Sequence, residues 1–273
     1  MTQFIRHYLL ALQFFSRVPV TGRLAAWVGY SPAMLRASAA HFPGVGWLVG
    51  GVVAAVTWLL LAVLPGGAFA PLVAAVLGTV VSVLMTGAFH EDGLADVADG
   101  LGGSQNRDRA LEIMKDSRVG AFGAIAVVLA LLLKVVLLAQ LGSLGVAVVC
   151  TSVFLAHVVS RTWPLLMIRL LPHVGDAAGS KSKPLADQIT VGALLAAILW
   201  CFMALAPVFI AYPAIKGVAI GVALAFTAVA FGVMLRWFRR RLGGFTGDCL
   251  GATQQVCELA FYLGMAVGWG LSA

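Results

Sequence analysis

Read from the N-terminus, the chain alternates long apolar runs with short polar ones, and the apolar runs have nearly one length. Seven stretches, at about 43–64, 71–90, 119–141, 144–166, 189–211, 217–235 and 252–271, are each close to twenty residues of mostly Leu, Val, Ala, Ile and Phe. A helix needs about 20 such residues to cross a hydrocarbon core of roughly 30 Å. The pattern therefore predicts an all-α, polytopic transmembrane helical bundle of about seven spans. Pro65-Gly-Gly67 separates the first two runs, and Gly142, Pro213 and Gly243-Gly244 mark other tight connections.

Composition agrees. Of the 273 residues, 61% are apolar and 11% charged, with mean hydropathy +1.00. A soluble domain has roughly 45–50% apolar and about 25% charged residues. These figures exclude a secreted disulfide scaffold, a disordered chain and an ordinary water-soluble enzyme. No polar linker is long enough to fold alone, so residues 1–273 read as a single integral membrane domain. The four cysteines (Cys150, Cys201, Cys249, Cys257) show no C-x-x-C spacing and read as buried thiols.

Charge then orients the bundle. Arg6, Arg17, Arg23 and Arg36 precede the first span; Arg107, Arg109, Lys115 and Arg118 lie between the second and third. Arg169, Lys181 and Lys183 follow the fourth, and Arg236, Arg239, Arg240 and Arg241 follow the sixth. The intervening loops are bare, apart from Lys216. Basic loops stay in the cytoplasm, so seven spans with a cytoplasmic N-terminus are expected. The net charge of +7 needs no nucleic acid to explain it, and attraction to anionic membrane lipid is its expected consequence. The short apolar run from Tyr8 to Phe15 meets Arg17 without a small-residue cleavage pattern. It reads as an interfacial helix or the edge of the bundle rather than a signal peptide.

Acids are scarce, and their placement is informative. Seven of the 11 (Glu91, Asp92, Asp96, Asp99, Asp108, Glu112, Asp116) fall within 26 residues. In His90-Glu-Asp-Gly-Leu-Ala-Asp-Val-Ala-Asp-Gly100, a helix places Asp92, Asp96 and Asp99 on one face. Like charges at that spacing repel and raise one another's pKa unless a cation is present. Oxygen-only ligands select Mg²⁺ or a similar hard ion, which binds through one or two carboxylates plus substrate phosphates. The plain alternative is a solvated helix face. Four acids within nine residues, in a chain so poor in them, favour the metal. Gly93 and Gly100 would let backbone approach a bulky ligand.

Further polar residues follow. Lys115, Asp116 and Arg118 stand just before the third span, where the basic pair could neutralise phosphate oxygens; Asp108 and Glu112 read more as surface ion pairs. His157 and Arg161 share a face of the fourth span. Lys134 and Glu258 lie deep in spans, where charges pair or line cavities. In Gly243-Gly-Phe-Thr-Gly-Asp248, residues Gly244, Thr246, Gly247 and Asp248 could present a helix N-terminus to a phosphate; a tight turn capped by Thr246 or Asp248 is the rival. Gly46/Gly50, Gly217/Gly221 and Gly264/Gly268 form G-x-x-x-G pairs, read as helix-packing faces.

The acidic segment, followed by Glu112-Ile-Met-Lys-Asp-Ser-Arg-Val-Gly120, closely resembles the cobalamin synthase family of adenosylcobinamide-GDP ribazoletransferases. Phe14-Phe-Ser-Arg-Val-Pro19, Phe42-Pro-Gly-Val-Gly46, Ser160-Arg161 and Arg241-Leu-Gly-Gly-Phe-Thr-Gly-Asp248 match as well, and residues 172–188 match least. The resemblance implies a multi-pass enzyme of the bacterial inner membrane with its site facing the cytoplasm. Such an enzyme joins adenosylcobinamide-GDP to α-ribazole or its 5′-phosphate, with Mg²⁺, and releases GMP. On that reading Glu91, Asp92, Asp96 and Asp99 hold the metal. Lys115, Arg118 and Arg161 neutralise the departing GMP, Asp99 or Asp116 accepts the hydroxyl proton, and Gly244, Thr246, Gly247 and Asp248 approach the phosphates. A homo-oligomer, or a complex with other late enzymes of B12 assembly, would suit such a step. The rivals are a CDP-alcohol phosphotransferase, an aspartate-rich prenyltransferase and a transporter. The first expects D-x-x-D-G-x-x-A-R, which is absent, and a transporter would hold its ionisable groups near the midplane.

Overall fold

Prolines and side-chain caps open the helices where the sequence places them. The computed structural model describes residues 2–175, 189–211 and 217–272; Asp176, Lys181, Lys183, Asp187, Pro213 and Lys216 lie outside them. In chain order the helices are α1 (Thr2–Phe15), α2 (Gly22–Val28) and α3 (Pro32–Ser38), which runs through a 3₁₀ turn, Ala39–His41, into α4 (Phe42–Val63). Then come α5 (Ala70–Thr86), α6 (Phe89–Gly103), α7 (Arg107–Met114), α8 (Ala121–Leu144), α9 (Val146–Val159) and α10 (Trp163–Leu170). The last are α11 (Val191–Ala211), α12 (Gly217–Arg241) and α13 (Gly247–Leu271). Pro32, Pro43, Pro71 and Pro164 stand in first turns, where the missing amide costs nothing. Among the described residues the only β-pairing is an isolated bridge between His173 and Phe245.

Among the described residues five stretches are long and apolar enough to cross a membrane: Pro32–Val63, Ala121–Leu144, Val146–Leu170, Val191–Ile210 and Gly217–Arg241. Their outward faces expose Trp58, Val128, Leu132, Phe202, Val229 and Val233. In water such a surface would aggregate; in lipid it is the required one.

Two of the seven expected spans differ. The run 71–90 breaks at Gly87 and Ala88, both left-handed (φ 68° and 58°), and α6 leaves the α5 axis at 89°. It does not continue that span straight. A left-handed alanine costs about 1–2 kcal/mol, so the surroundings must hold the break: the Arg17 amide donates to the Met85 carbonyl at 2.7 Å, and the Arg17 side chain fills the space where a Gly87 Cβ would stand. The run 252–271 lies within α13, whose Gln254, Gln255 and Glu258 are all buried. That helix packs against α6, α8, α9, α10 and α12. Its first half is packed into the bundle, while Leu263, Val267 and Leu271 further along remain exposed.

Small residues set the close packing. Gly264 and Gly268 lie against the backbone of Ala223 and Ala219 on α12, and Gly46 and Gly50 against His157 and Phe154 on α9. Gly221 has open space instead, so the Gly217/Gly221 pair is not a packing face. All four cysteines are free thiols, with Cys249 and Cys257 buried and Cys150 and Cys201 partly so. Helix α1 docks on the bundle edge through buried Leu10, Ala11, Leu12 and Phe15, and its Tyr8 hydroxyl donates to the Gly44 carbonyl at 3.2 Å.

Candidate active site

The break between α5 and α6 opens a cavity of about 860 Å³ together with the end of α1 and the start of α13. Its walls include Phe14, Arg17, Phe89, Asp92, Gly247 and Asp248. Asp92 is exposed and Asp96 half-buried, one turn further along α6. Asp248 comes from a helix distant in sequence, and Gly93 explains how it arrives. A Cβ at Gly93 would stand 2.8 Å from the Asp248 carbonyl oxygen and 3.1 Å from its Cα. Only glycine lets the two backbones meet there. Gly93 and Gly100 thus admit neighbouring protein, not ligand; Gly100 faces Ala110 and Met114.

Crowding the acids has an electrostatic consequence. The Asp96 carboxyl is pushed up to about 7, first by burial and then by the charges of Asp248, Asp92 and Asp99. Asp248 is also raised, chiefly by burial, with Asp92 adding to it. This is a place short of positive charge. Three oxygen-donor side chains in mutual repulsion fit a hard divalent ion. Among the described residues no group of three or more His, Cys, Asp or Glu side chains is placed to hold a metal ion by itself. A hard divalent ion there would need further oxygens from a bound phosphate, the usual way Mg²⁺ is held.

The remaining expected residues go to other places. Asp99 is 8% exposed, and its two oxygens accept from the Gly120 and Gly123 amides at 2.7 and 2.8 Å. It caps the N-terminus of α8, where free amides and the helix dipole favour a carboxylate; that use competes with both metal and proton. Glu91 is turned into the bundle at 6% exposure and accepts from Gln255 at 3.2 Å. Arg161, at the break between α9 and α10, is buried at 1% and bonds to the His157 ring nitrogen at 3.0 Å and carbonyl at 2.7 Å. It lines no described cavity. Asp116 and Arg118 pair at 2.6 Å on a separate concavity of about 540 Å³ reached from the far end of α6. Hydrogen bonds from Arg118 hold the Asp116 carboxyl down to about 2, which makes it a poor proton acceptor. Lys115 closes the C-terminus of α7. Asp108 and Glu112 form exposed pairs with Arg107 and Arg109.

The glycine-rich loop resolves into a turn with a cap. Thr246 accepts from the Cys249 amide at 3.4 Å, and the Phe245 amide is taken by the Pro172 carbonyl at 3.0 Å. Gly244 is glycine because a Cβ would meet Pro172 and Val174. Gly247 and Asp248 nevertheless stand on the cavity wall, at a helix end that attracts anions.

Arg17 is the residue that reading for acids missed. In the sequence it stands only within Phe14-Phe-Ser-Arg-Val-Pro19 and as an orientation charge, yet it lines the same cavity as Asp92 and Asp248. Arg241, in the sequence an orientation charge and the start of the Arg241–Asp248 match, donates to the Leu101 and Ser104 carbonyls at 3.3 and 2.6 Å, capping the C-terminus of α6.

A bundle of apolar helices with a carboxylate-lined cavity at the end of its spans is a polytopic membrane protein. The chain belongs to the Cobalamin-5-phosphate synthase family, whose profile matches residues 7–266. It is 69% identical to the adenosylcobinamide-GDP ribazoletransferase of Albidiferax ferrireducens over 98% of this chain and 100% of that one. It is 63% identical to the Polaromonas naphthalenivorans enzyme of the same name, over 98% of this chain and 99% of that one. The Vibrio cholerae enzyme is 42% identical over 94% and 91%. No solved structure matches the chain.

Proposed function

We propose that this enzyme joins adenosylcobinamide-GDP to α-ribazole or its 5′-phosphate, with Mg²⁺, releasing GMP. The ribazole hydroxyl oxygen would form a bond to the phosphorus carried by the corrinoid arm. The bond from that phosphorus to the bridging oxygen would break, and GMP would leave with the oxygen. The observation that carries this reading is the cavity shared by Asp92, Asp248, Arg17 and the start of α13, in a chain so similar to enzymes bearing that name.

In phosphoryl transfer the protein mostly positions groups and neutralises charge. Asp92 and Asp96, with Asp248, would hold Mg²⁺ against the diphosphate; bound there, the ion supplies charge neutralisation. Arg17 would donate to phosphate oxygens that the carboxylates cannot serve. The Gly247 and Asp248 backbone would face the same anion at the helix end. The basic residues around α6 and the end of α12 support a site on the cytoplasmic face of the inner membrane.

The test is GMP release by the purified full chain in lipid nanodiscs, given both substrates and Mg²⁺. Release that requires the ribazole supports the reading. No release, or release independent of the ribazole, overturns it.

A further inference from the structure

Beneath the cavity lies a set of charged and amide side chains that the reaction does not obviously use. Glu258 is 1% exposed and Lys134 2%, with Nζ 2.6 Å from Oε1. The Tyr262 hydroxyl donates to the same oxygen at 3.1 Å. Gln254 Nε2 donates to Glu258 Oε2 at 2.7 Å and to Ser160 Oγ at 3.0 Å. Gln255 Nε2 donates to Gln254 Oε1 at 3.0 Å and to Glu91 Oε1 at 3.2 Å.

The direction of these bonds is forced. An ionised carboxylate only accepts, so Gln254 must turn its amide nitrogen to Glu258. That leaves its oxygen for Gln255, whose nitrogen then continues to Glu91. The chain Lys134, Glu258, Gln254, Gln255, Glu91 thus has one sense and joins α8, α13 and α6. It ends on the residue next to Asp92. Stability alone is a weak reason for it, since a buried ion pair is often no better than well-packed apolar residues.

We propose that this relay is a positioning device for the proposed reaction, in which Gln255 locks Glu91 and so fixes the Asp92 end of α6 toward the cavity. It rests on the function proposed above. The other ties on α6 have the same effect: Gly93 is pressed on Asp248, and Asp99 is fastened to α8. Glu91 adds the tie at the N-terminal end, beside the left-handed Ala88 where the helix would otherwise fray.

The test uses the full chain with Gln255→Met, which keeps side-chain length and adds no charge, and Glu91→Gln, which keeps an acceptor for Gln255. Hydrogen exchange of the peptide covering Phe89–Gly103 is compared with that of α12, and kcat and KM are measured with both substrates. Gln255→Met is expected to raise exchange at the start of α6 several-fold while leaving α12 unchanged. It should also lower kcat roughly tenfold with KM within about twofold, the pattern of a lost transition-state arrangement; Glu91→Gln should keep most of both. Unchanged exchange in α6, or a uniform rise through α12 and α6 alike, overturns the proposal. Should wild type release no GMP, the function falls, and the exchange pattern alone still decides whether Gln255 fixes α6.

Discussion

Two ion pairs in this protein have the same length and opposite surroundings. Arg118–Asp116 closes at 2.6 Å with its side chains 87% and 38% exposed. Lys134–Glu258 closes at 2.6 Å with both 2% exposed. Distance therefore says nothing about what either pair does. In water, attraction at that range is screened and offset by the ordering of two long side chains. In the bundle neither charge has solvent to return to, so each makes the other tolerable. The exposed pair is optional and the buried one obligatory. The acids at the cavity stand between these limits: too crowded to be comfortable and too exposed to be structural.

The largest effect should come from splitting the buried pair. Lys134→Met leaves Glu258 without its cation and is expected to cost about 3–5 kcal/mol, read as a large drop in Tm in detergent. Lys134→Met with Glu258→Leu should recover part of that loss, since Gln254 and Tyr262 lose their acceptor and the buried Arg161 loses a neighbouring anion. A double variant no better than the single one would refute the charge-balance explanation. Next in size is Asp92→Asn, expected to lower turnover by roughly 100-fold or more, about 2.7 kcal/mol of transition-state stabilisation, with Tm unchanged. Wild-type turnover and Mg²⁺ response would remove Asp92 from the site. Asp99→Ala should do the reverse of Asp92→Asn. It strands two amides at the start of α8 and should cost about 1–3 kcal/mol of stability. If Asp99→Ala keeps Tm and abolishes activity, its role is in the site rather than in the cap.

Much of this contrast was legible in the sequence, for a physical reason. Membrane residence is written in composition and run length, so the apolar spans could be read directly, and the scarcity of acids pointed to α6. What could not be read was which way each acid turns. Helical spacing puts Asp92, Asp96 and Asp99 on one face, but it carries no signal that Gly120 and Gly123 wait beside Asp99, or that Gln255 waits beside Glu91. Those partners lie 21, 24 and 164 residues away. Hydropathy also places Glu258 and Lys134 in spans without saying that the stretch of α13 around Gln254–Glu258 is buried against other helices. Arg17 was hidden by the opposite effect. Arginine is common at span ends, and only the break at Gly87 and Ala88 brings this one to the carboxylates.

The smallest expected effect tests the far side of that contrast. Arg118→Ala removes a cation whose guanidinium stands in solvent beside Asp116. Asp116 keeps water as a partner, so Tm should not move. Arg17→Ala removes a cation of the same type from a cavity shared with Asp92 and Asp248. Its loss should slow turnover roughly tenfold or more, the scale of a hydrogen bond to a charged group. The two variants measured side by side under identical Mg²⁺ decide which concavity receives the diphosphate. A stronger loss of turnover from Arg118→Ala than from Arg17→Ala would move the reaction to the concavity around Asp99 and Asp116. The opposite order keeps it at the break between α5 and α6, where helix geometry has brought acids and arginine together without letting them neutralise one another.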